Sequence, residues 1–335
     1  MRLSTSTNIF TVNRNGGPLT DTLECIRRCA EAGFRVMDID FRFVRHPAFF
    51  LTRDDWEWQF EAIGNEANKL GIEFSQSHMP FYEPIHPADP YYTDPQLRAW
   101  FETMCERAYY ASSALGVQWA VVHGFTAYDG NGAARSSKAS KQETIAYYSP
   151  HLELAKRLGV GIAFENMCDI VGPAPQRRYT ASYEELIDLV QSFHDEAVGI
   201  CWDFGHAHRM KYDPAEALGQ IGKLLKATHV SDNFGEADSH LLPFMGTVPW
   251  EDVMRALGDI RYEGDLTLEA YGATDRLPAP LKQDALRLAH DAGQYLLSLQ
   301  PPRFRAKTAP RNRGRAGAAP IRLDPYASGT IKQHS

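Results

Sequence analysis

What this 335-residue sequence has little of narrows its class first. No apolar run approaches the ~20 residues needed to cross a bilayer, so no membrane span is expected. Residues 1–7 show no apolar core of the kind that a secretory signal carries. Cysteine is sparse and scattered at Cys25, Cys29, Cys105, Cys168 and Cys201, with no CxxC pair and an odd total. That argues against a disulfide framework and for a reducing, cytoplasmic setting. Cys25 and Cys29 fall on one helix face, where two thiols alone read as packing residues. A glycine-rich phosphate loop is missing too. After the first apolar run stands only Asn15-Gly16-Gly17-Pro18, a poor version of one.

Basic charge is short in most of the chain. The total of 35 Lys/Arg against 42 Asp/Glu, a net −7, hides an uneven distribution. Residues 301–335 hold eight Lys/Arg and one Asp, a net +7, which leaves −14 for the remainder. An acidic body is a poor match to nucleic acid, whose sequence-independent binding rests on Lys/Arg neutralising phosphates. The tail is rich in Pro, Gly, Ala and Arg and cannot build a core, so it is expected to be disordered and solvated. The organisation expected is one domain over residues 1–300 and a basic tail over residues 301–335.

What is present is alternation. β-rich runs at residues 3–10, 36–40, 72–77, 119–122, 160–164, 198–202, 226–230 and 265–268 are separated by helical patterns. Helices are expected after Asp21 and Glu24, a capping pair, and over residues 56–70 and 95–115. Another ends near residue 158, and Ser182 with Glu185 offers a capping box for the next. Asp213-Pro214 supplies an N-cap and a first-turn proline, and the last two helices cover residues 250–257 and end near 299. Parallel strands need a crossover between them, so this order predicts a parallel sheet. About eight units in this length fit a closed (β/α)8 TIM barrel better than an open doubly wound sheet.

The informative pattern lies at the C-terminal end of each apolar run. The third strand ends at His78-Met79-Pro80, the fourth at His123-Gly124, the fifth at Glu165-Asn166 and the sixth at Asp203-Phe204-Gly205-His206. The seventh gives His229-Val230-Ser231-Asp232-Asn233, then Asp238-Ser239-His240, and the eighth ends at Glu269-Ala270. Barrel active sites lie at the C-terminal ends of the strands, so these groups are expected to converge on one mouth. Several carboxylates there repel one another and rise in pKa unless a cation neutralises them. Three carboxylates and one imidazole (Glu165, Asp203, Glu269 and His229) suit manganese, magnesium or cobalt better than a thiolate-seeking metal.

In the order of these motifs the chain resembles the sugar phosphate isomerase/epimerase families of the xylose isomerase-like TIM barrel superfamily. Ala163-Phe164-Glu165-Asn166, Trp202-Asp203-Phe204-Gly205-His206 and His229-Val230-Ser231-Asp232-Asn233 carry the likeness. So do Asp238-Ser239-His240-Leu241-Leu242-Pro243, Gly246-Thr247-Val248-Pro249-Trp250 and Leu268-Glu269. The resemblance covers residues 3–299 and is specific for the superfamily rather than for a substrate. It implies that Glu165, Asp203, His229 and Glu269 hold one divalent metal, commonly manganese. It also implies that Glu165 and Glu269 act as acid and base on opposite faces of a sugar, and that His206 contacts substrate. His78, His123 and His240 at the same mouth read as further substrate-binding residues. A chelated ketose would lose the proton next to its carbonyl through a metal-stabilised enediolate.

The same site leaves other outcomes open. Expelling a β-substituent from the enediolate would make the enzyme a keto-sugar dehydratase or glycoside lyase, with or without a second subunit. Endonuclease IV, a zinc phosphodiesterase of the same superfamily, resembles the chain at His78, His123, Glu165, Asp203, His206, His229, Asp238, His240 and Glu269. There the matching residues hold three zinc ions. Against that reading stand the acidic body and the lack of basic clusters beside these motifs. Three weaker features remain. Trp56, Trp58, Phe81, Tyr82, Tyr91, Tyr92 and Trp100 either stack on a ligand or pack the outer helices. Residues 128–140 are a candidate mobile loop, with turns from Asp129-Gly130-Asn131-Gly132. Arg177 and Arg178 read as a solvated pair rather than an anion site. Homo-oligomerisation is compatible with the sequence, which shows no interface.

Overall fold

A computed structural model of the protein describes residues 1–11, 19–46, 48–82, 93–129, 133–171 and 176–300. Among them, eight strands stop where polar residues take over from apolar ones. These are β1 (Arg2–Ser6), β2 (Val36–Asp40), β3 (Glu73–His78), β4 (Trp119–His123), β5 (Gly161–Glu165), β6 (Val198–Asp203), β7 (Leu225–His229) and β8 (Asp265–Leu268). They pair in parallel, in chain order from β7 back to β1 and on to β8. Val230 bridges Leu268 to close the ring. There the Val230 N–H donates to Thr267 O at 2.8 Å and the Glu269 N–H to Val230 O at 3.0 Å. Around the ring run α1 (Asn8–Thr11), α2 (Thr22–Ala32), α3 (Trp56–Leu70), α4 (Pro95–Ala114), α5 (Ser137–Arg157), α6 (Tyr183–Ser192), α7 (Phe204–Arg209), α8 (Pro214–Ile221), α9 (Trp250–Asp259) and α10 (Ala279–Ser298). This is the (β/α)8 TIM barrel that the alternation implied.

Strand residues alternate between two destinations, as a period of two requires. Met37, Ile39, Val122, Phe164, Trp202 and Leu268 join the main core beneath the helices. The intervening residues face the barrel interior, where Val121, Ala163, Cys201 and Ala227 form a small cluster of their own. The alternation turns Ser4, Asp38, Gln76 and Thr267, all buried, toward the interior on the other side of the ring. Trp119 packs against the apolar cluster. A Cβ on Gly161 would stand 2.4 Å from its ring, so only glycine fits there. Near that same end Arg2 ties β1 to Asp265 at 2.7 Å and to Glu73 at 2.8 Å.

Several local expectations hold. Asp213 accepts from the Glu216 N–H at 2.9 Å as an N-cap should. Cys25 and Cys29 are buried packing residues, with Cys25 Sγ 2.9 Å from Thr7 O. Others fail for identifiable reasons. The first strand stops at Ser6 instead of continuing to residue 10, because Ile9 is wanted in the core on α1 rather than in a ladder. Asp21 makes no side-chain cap bond, and Glu24 is drawn instead to Arg28 at 2.7 Å. Only half of the Ser182 box forms. Ser182 Oγ accepts from the Glu185 N–H at 3.4 Å, while the Glu185 carboxylate turns to Arg177 at 2.6 Å. The basic tail, residues 301–335, lies outside the described residues.

Candidate metal and acid–base site

Four strand ends converge as expected. Glu165 ends β5, Asp203 ends β6, His229 ends β7 and Glu269 comes directly after β8. One ligand atom from each lies within 4.8 Å of the others, and all four residues are buried. His229 Nδ1 stands 3.0 Å from Glu165 Oε1 and 3.3 Å from Glu269 Oε2. The chain locks this geometry locally. Asn166 clamps β5 to β6, its Oδ1 accepting from the Asp203 N–H at 2.6 Å and its Nδ2 donating to Asp203 O at 2.9 Å. Asp203 Oδ1 caps α7 by accepting from the His206 N–H at 2.8 Å. Its other oxygen, Oδ2, is buried with no hydrogen-bond partner among the described residues. Leaving an ionised oxygen so placed is costly, and three carboxylates with one imidazole form a donor set that a divalent cation satisfies. The residues present fit such an ion.

The remaining imidazoles surround this cluster. Glu165 Oε2 lies 3.0 Å from His123 Nε2 and 3.4 Å from His78 Nε2. Asp238 bridges the other two, 3.3 Å from His206 Nε2 and 3.2 Å from His240 Nε2. His206 Nδ1 is 2.8 Å from Asn166 O, and His240 Nδ1 is 2.8 Å from Glu269 O. His240 adopts φ +44°, an unusual conformation for a non-glycine residue. The β7–α9 loop holds it through Asp232, whose carboxylate accepts from the N–H groups of Asn233, Phe244 and Val248 and from Trp250 Nε1. Gly246 is required there, since a Cβ would meet Asp232 Oδ1 at 2.4 Å.

Charge is unevenly compensated. Burial alone would raise the Glu165 carboxyl, but His229, His123 and His78 overcome it and hold it well below the ordinary range. Glu269 is likewise buried, yet Arg42, His229 and His240 keep it low. Asp203 has less help. Burial, with the charges of Glu165 and Glu269 adding to it, pushes its carboxyl up to about 6 against the pull of His206 and His240. An acid raised this way among like charges is what a bound cation relieves.

Two groups of residues escape the sequence pattern. Arg42, just after β2, reaches Glu269 Oε1 at 2.6 Å, and Asn8 Nδ2 donates to the same oxygen at 3.0 Å. An acid two residues before an arginine at a strand end, Asp40 and Arg42, was the available signal. Tyr271, which shares the aromatic cover of the mouth with the expected Phe81, is the second. Phe81 lies 4.3 Å from the His123 ring and Tyr271 4.3 Å from His240. The aromatic cluster expected from sequence therefore splits. Phe81 reaches the mouth, Tyr82 packs on Phe101, Trp56 lies under Arg107, and Trp58 is exposed. Tyr91 and Tyr92 lie outside the described residues. The loop expected over residues 128–140 is shortened by α5, which begins at Ser137, and Asp129 N–H donates to Ala133 O at 2.8 Å. Its glycines Gly130 and Gly132 lie outside the described residues. Arg177 is paired with Glu185, in keeping with a surface role.

A family model for xylose isomerase-like TIM barrels matches residues 26–292, most of the barrel. The chain belongs to that family. Curated relatives match over shorter stretches. One is the uncharacterized protein y4fM of Sinorhizobium fredii, 36% identical over 81 residues (24% of this chain, 26% of that protein). Another is D-psicose 3-epimerase of Enterocloster bolteae, 29% identical over 109 residues (31% of this chain, 35% of that protein). The chain thus aligns with only about a quarter to a third of these relatives' length. Solved structures of the same fold cover it more fully. A D-tagatose 3-epimerase-like protein superposes with a TM-score of 0.67 at 19% identity, over 89% of this chain and 98% of that one. The 3-keto-D-glucoside 4-epimerase YcjR of E. coli gives 0.63 at 19%, over 89% and 99%.

Proposed function

We propose that this xylose isomerase-like barrel is a metal-dependent sugar isomerase or epimerase, with Glu165 and Glu269 as its acid–base pair. The observation that carries the reading is the meeting of four buried ligand atoms at the barrel mouth, with Asp203 there keeping a buried Oδ2 that makes no hydrogen bond among the described residues. The relatives support it, since a D-psicose 3-epimerase, a D-tagatose 3-epimerase-like protein and a 3-keto-D-glucoside 4-epimerase are among them. Glu165, Asp203, His229 and Glu269 would hold the ion (manganese, or else magnesium or cobalt), which when bound supplies the polarisation that acidifies a C–H next to a carbonyl.

The chain's own residues do the rest. Glu165 Oε1 and Glu269 Oε2 stand 3.0 and 3.3 Å from the same imidazole nitrogen, close enough for one sugar seated over the cluster to meet both carboxylates. One glutamate takes the proton and the other returns one to the opposite face, which inverts the carbon. Return to the neighbouring carbon would isomerise the sugar instead. His78 and His123 hold the outer oxygen of Glu165, while Asp238 bridges His206 and His240, which would meet substrate hydroxyls only by exchanging that carboxylate for them. The test is solvent exchange. Manganese-loaded protein in deuterium oxide should place deuterium next to the carbonyl of ketoses such as D-tagatose and D-psicose, or of 3-keto-glucosides. Glu165→Gln and Glu269→Gln should each lower that exchange by about 1,000-fold or more, in line with loss of an acid–base group. Undiminished exchange in both variants would remove the assignment.

A zinc phosphodiesterase is the second reading, and one observation favours it. His78, His123 and Glu165 also bring ligand atoms within 4.8 Å of one another. The net −14 outside the tail opposes a polyanionic substrate. Elemental analysis of protein purified without chelator separates the two, with about one manganese per chain supporting the sugar enzyme and about three zinc ions the nuclease.

A further inference from the structure

The two glutamates of the proposed acid–base pair are held by different chemistry. Around Glu165 the partners among the described residues are imidazoles: His229 and His206 on one oxygen, His123 and His78 on the other. Glu269 is divided. Its Oε2 faces the ligand cluster, 3.3 Å from His229 Nδ1, and its Oε1 is taken by Arg42 Nη2 at 2.6 Å and Asn8 Nδ2 at 3.0 Å. The two nearly equivalent oxygens of a carboxylate sit on one carbon, and the planar group turns about the single bond that joins it to the side chain. Fixing one of them fixes where the other points.

Arg42 is itself anchored. It opens the turn Arg42–Arg45 directly after β2, and its backbone N–H donates to Asp40 Oδ1 at 2.8 Å. Its guanidinium folds back on the same carboxylate, with Nε 3.1 and 3.0 Å from the two oxygens and Nη2 2.7 Å from Oδ2. Asp40 is buried and fully committed to this fork. A planar guanidinium gripped along one edge keeps a defined direction, which a flexible lysine ammonium does not. Pairing Asp40 with Arg42 also cancels one charge of each sign. A divalent cation among Glu165, Asp203 and Glu269 then leaves the cluster one negative charge in excess, as a proton acceptor needs.

We propose that Arg42, braced by Asp40, is a positioning residue that aims Glu269 Oε2 into the site by holding Oε1 in place. The inference rests on the reading of Glu269 as half of the acid–base pair. Outer partners that orient a ligand typically matter 10- to 100-fold for metal affinity or activity. Arg42→Met should therefore lower kcat for deuterium exchange by roughly 10- to 100-fold, with KM changed less than about threefold. Manganese binding, read from the spectroscopic signal of the free ion and so independent of turnover, should weaken by about tenfold. Arg42→Lys restores the charge without the fork and should recover part of kcat, while Asp40→Asn should reproduce the Arg42→Met defect in milder form.

A structural role alone would lower the melting temperature and leave kcat and manganese affinity untouched, and that result overturns the proposal. Should Arg42→Met fail to fold, Asp40→Asn carries the same measurements, and unchanged values there overturn it equally. Glu269→Gln separates the two levels. If it leaves exchange intact, the acid–base reading falls and this inference falls with it. If it abolishes exchange while Arg42→Met does not lower it, only the positioning role is lost.

Discussion

The interior of this barrel has a dry side and a wet side. Beneath the ends of β4 to β7 lie Val121, Ala163, Cys201 and Ala227, small and apolar. Opposite them, on β8 and β1 to β3, lie the buried polar residues Thr267, Ser4, Asp38 and Gln76. On the wet side Ser4 Oγ, Asp38 Oδ2, Gln76 Nε2 and Thr267 Oγ1 are buried without hydrogen-bond partners among the described residues. The dry side sits under three of the four ligands, Glu165, Asp203 and His229, and supports them by close packing. Around Glu269 the wet side does the work with hydrogen bonds, through Asn8, Arg42 and Asp40. The difference is one of cost. A packed floor holds a ligand without burying further polar groups, whereas a polar floor must either satisfy its groups or carry the penalty.

The sharpest way to break this contrast is to put a charge on the dry side. Ala163→Asp would bury a carboxylate with no cationic partner in its small apolar cluster. It should cost about 4 kcal/mol or more, seen as a collapse of the urea midpoint or as failure to fold. A substitution that left the midpoint unchanged would mean that this floor is not dry. The next largest effect belongs to Asp38 on the wet side. Burial, reinforced by Asp40 and Glu269, pushes its carboxyl from 3.8 up to about 7 despite the opposing pull of His229. A carboxyl raised on folding costs no stability below its unfolded value. The penalty grows as pH rises from about 4 to about 7 and stays constant above. In chelator-treated protein, Asp38→Asn should thus gain on the wild type between pH 5 and pH 8, by at most roughly 4 kcal/mol. A stability difference that did not move with pH would count against this. Smallest is Thr267→Val. The hydroxyl it removes has no hydrogen-bond partner among the described residues and the shape is kept, so stability should change by less than about 1 kcal/mol in either direction, measured as a melting temperature.

Much of the site was legible from sequence for one reason. In a parallel barrel every strand ends at the same face, so residues at the ends of apolar runs meet there however far apart they are in the chain. That rule alone brought Glu165, Asp203, His229 and Glu269 together, along with His78, His123, His206 and His240. It fails where partners come from outside the strand-end pattern. The apolar run over residues 3–10 puts Asn8 in a strand, but Asn8 stands on α1, which turns its amide toward Glu269. Arg42 escapes the pattern because an arginine after a strand is usually solvated, and only the Asp40 carboxylate folds it inward. Capping boxes mislead at Asp21 and half-mislead at Ser182, because arginines within reach offer Glu24 and Glu185 stronger partners than a backbone N–H.

By itself the sequence determined the period of two, the crossover helices between strands, and hence a closed parallel barrel with a polar mouth. Those features depend on spacing and composition along the chain, which local sterics and burial translate directly into elements. Only the tertiary structure decided which oxygen of Glu269 faces the ligands, that Asp203 keeps one oxygen unsatisfied, and that the floor of the barrel is apolar on one side and polar on the other. Those depend on contacts such as Arg42 with Glu269 and Asn8 with Glu269, between β1–β2 and β8, which exist only once the ring has closed.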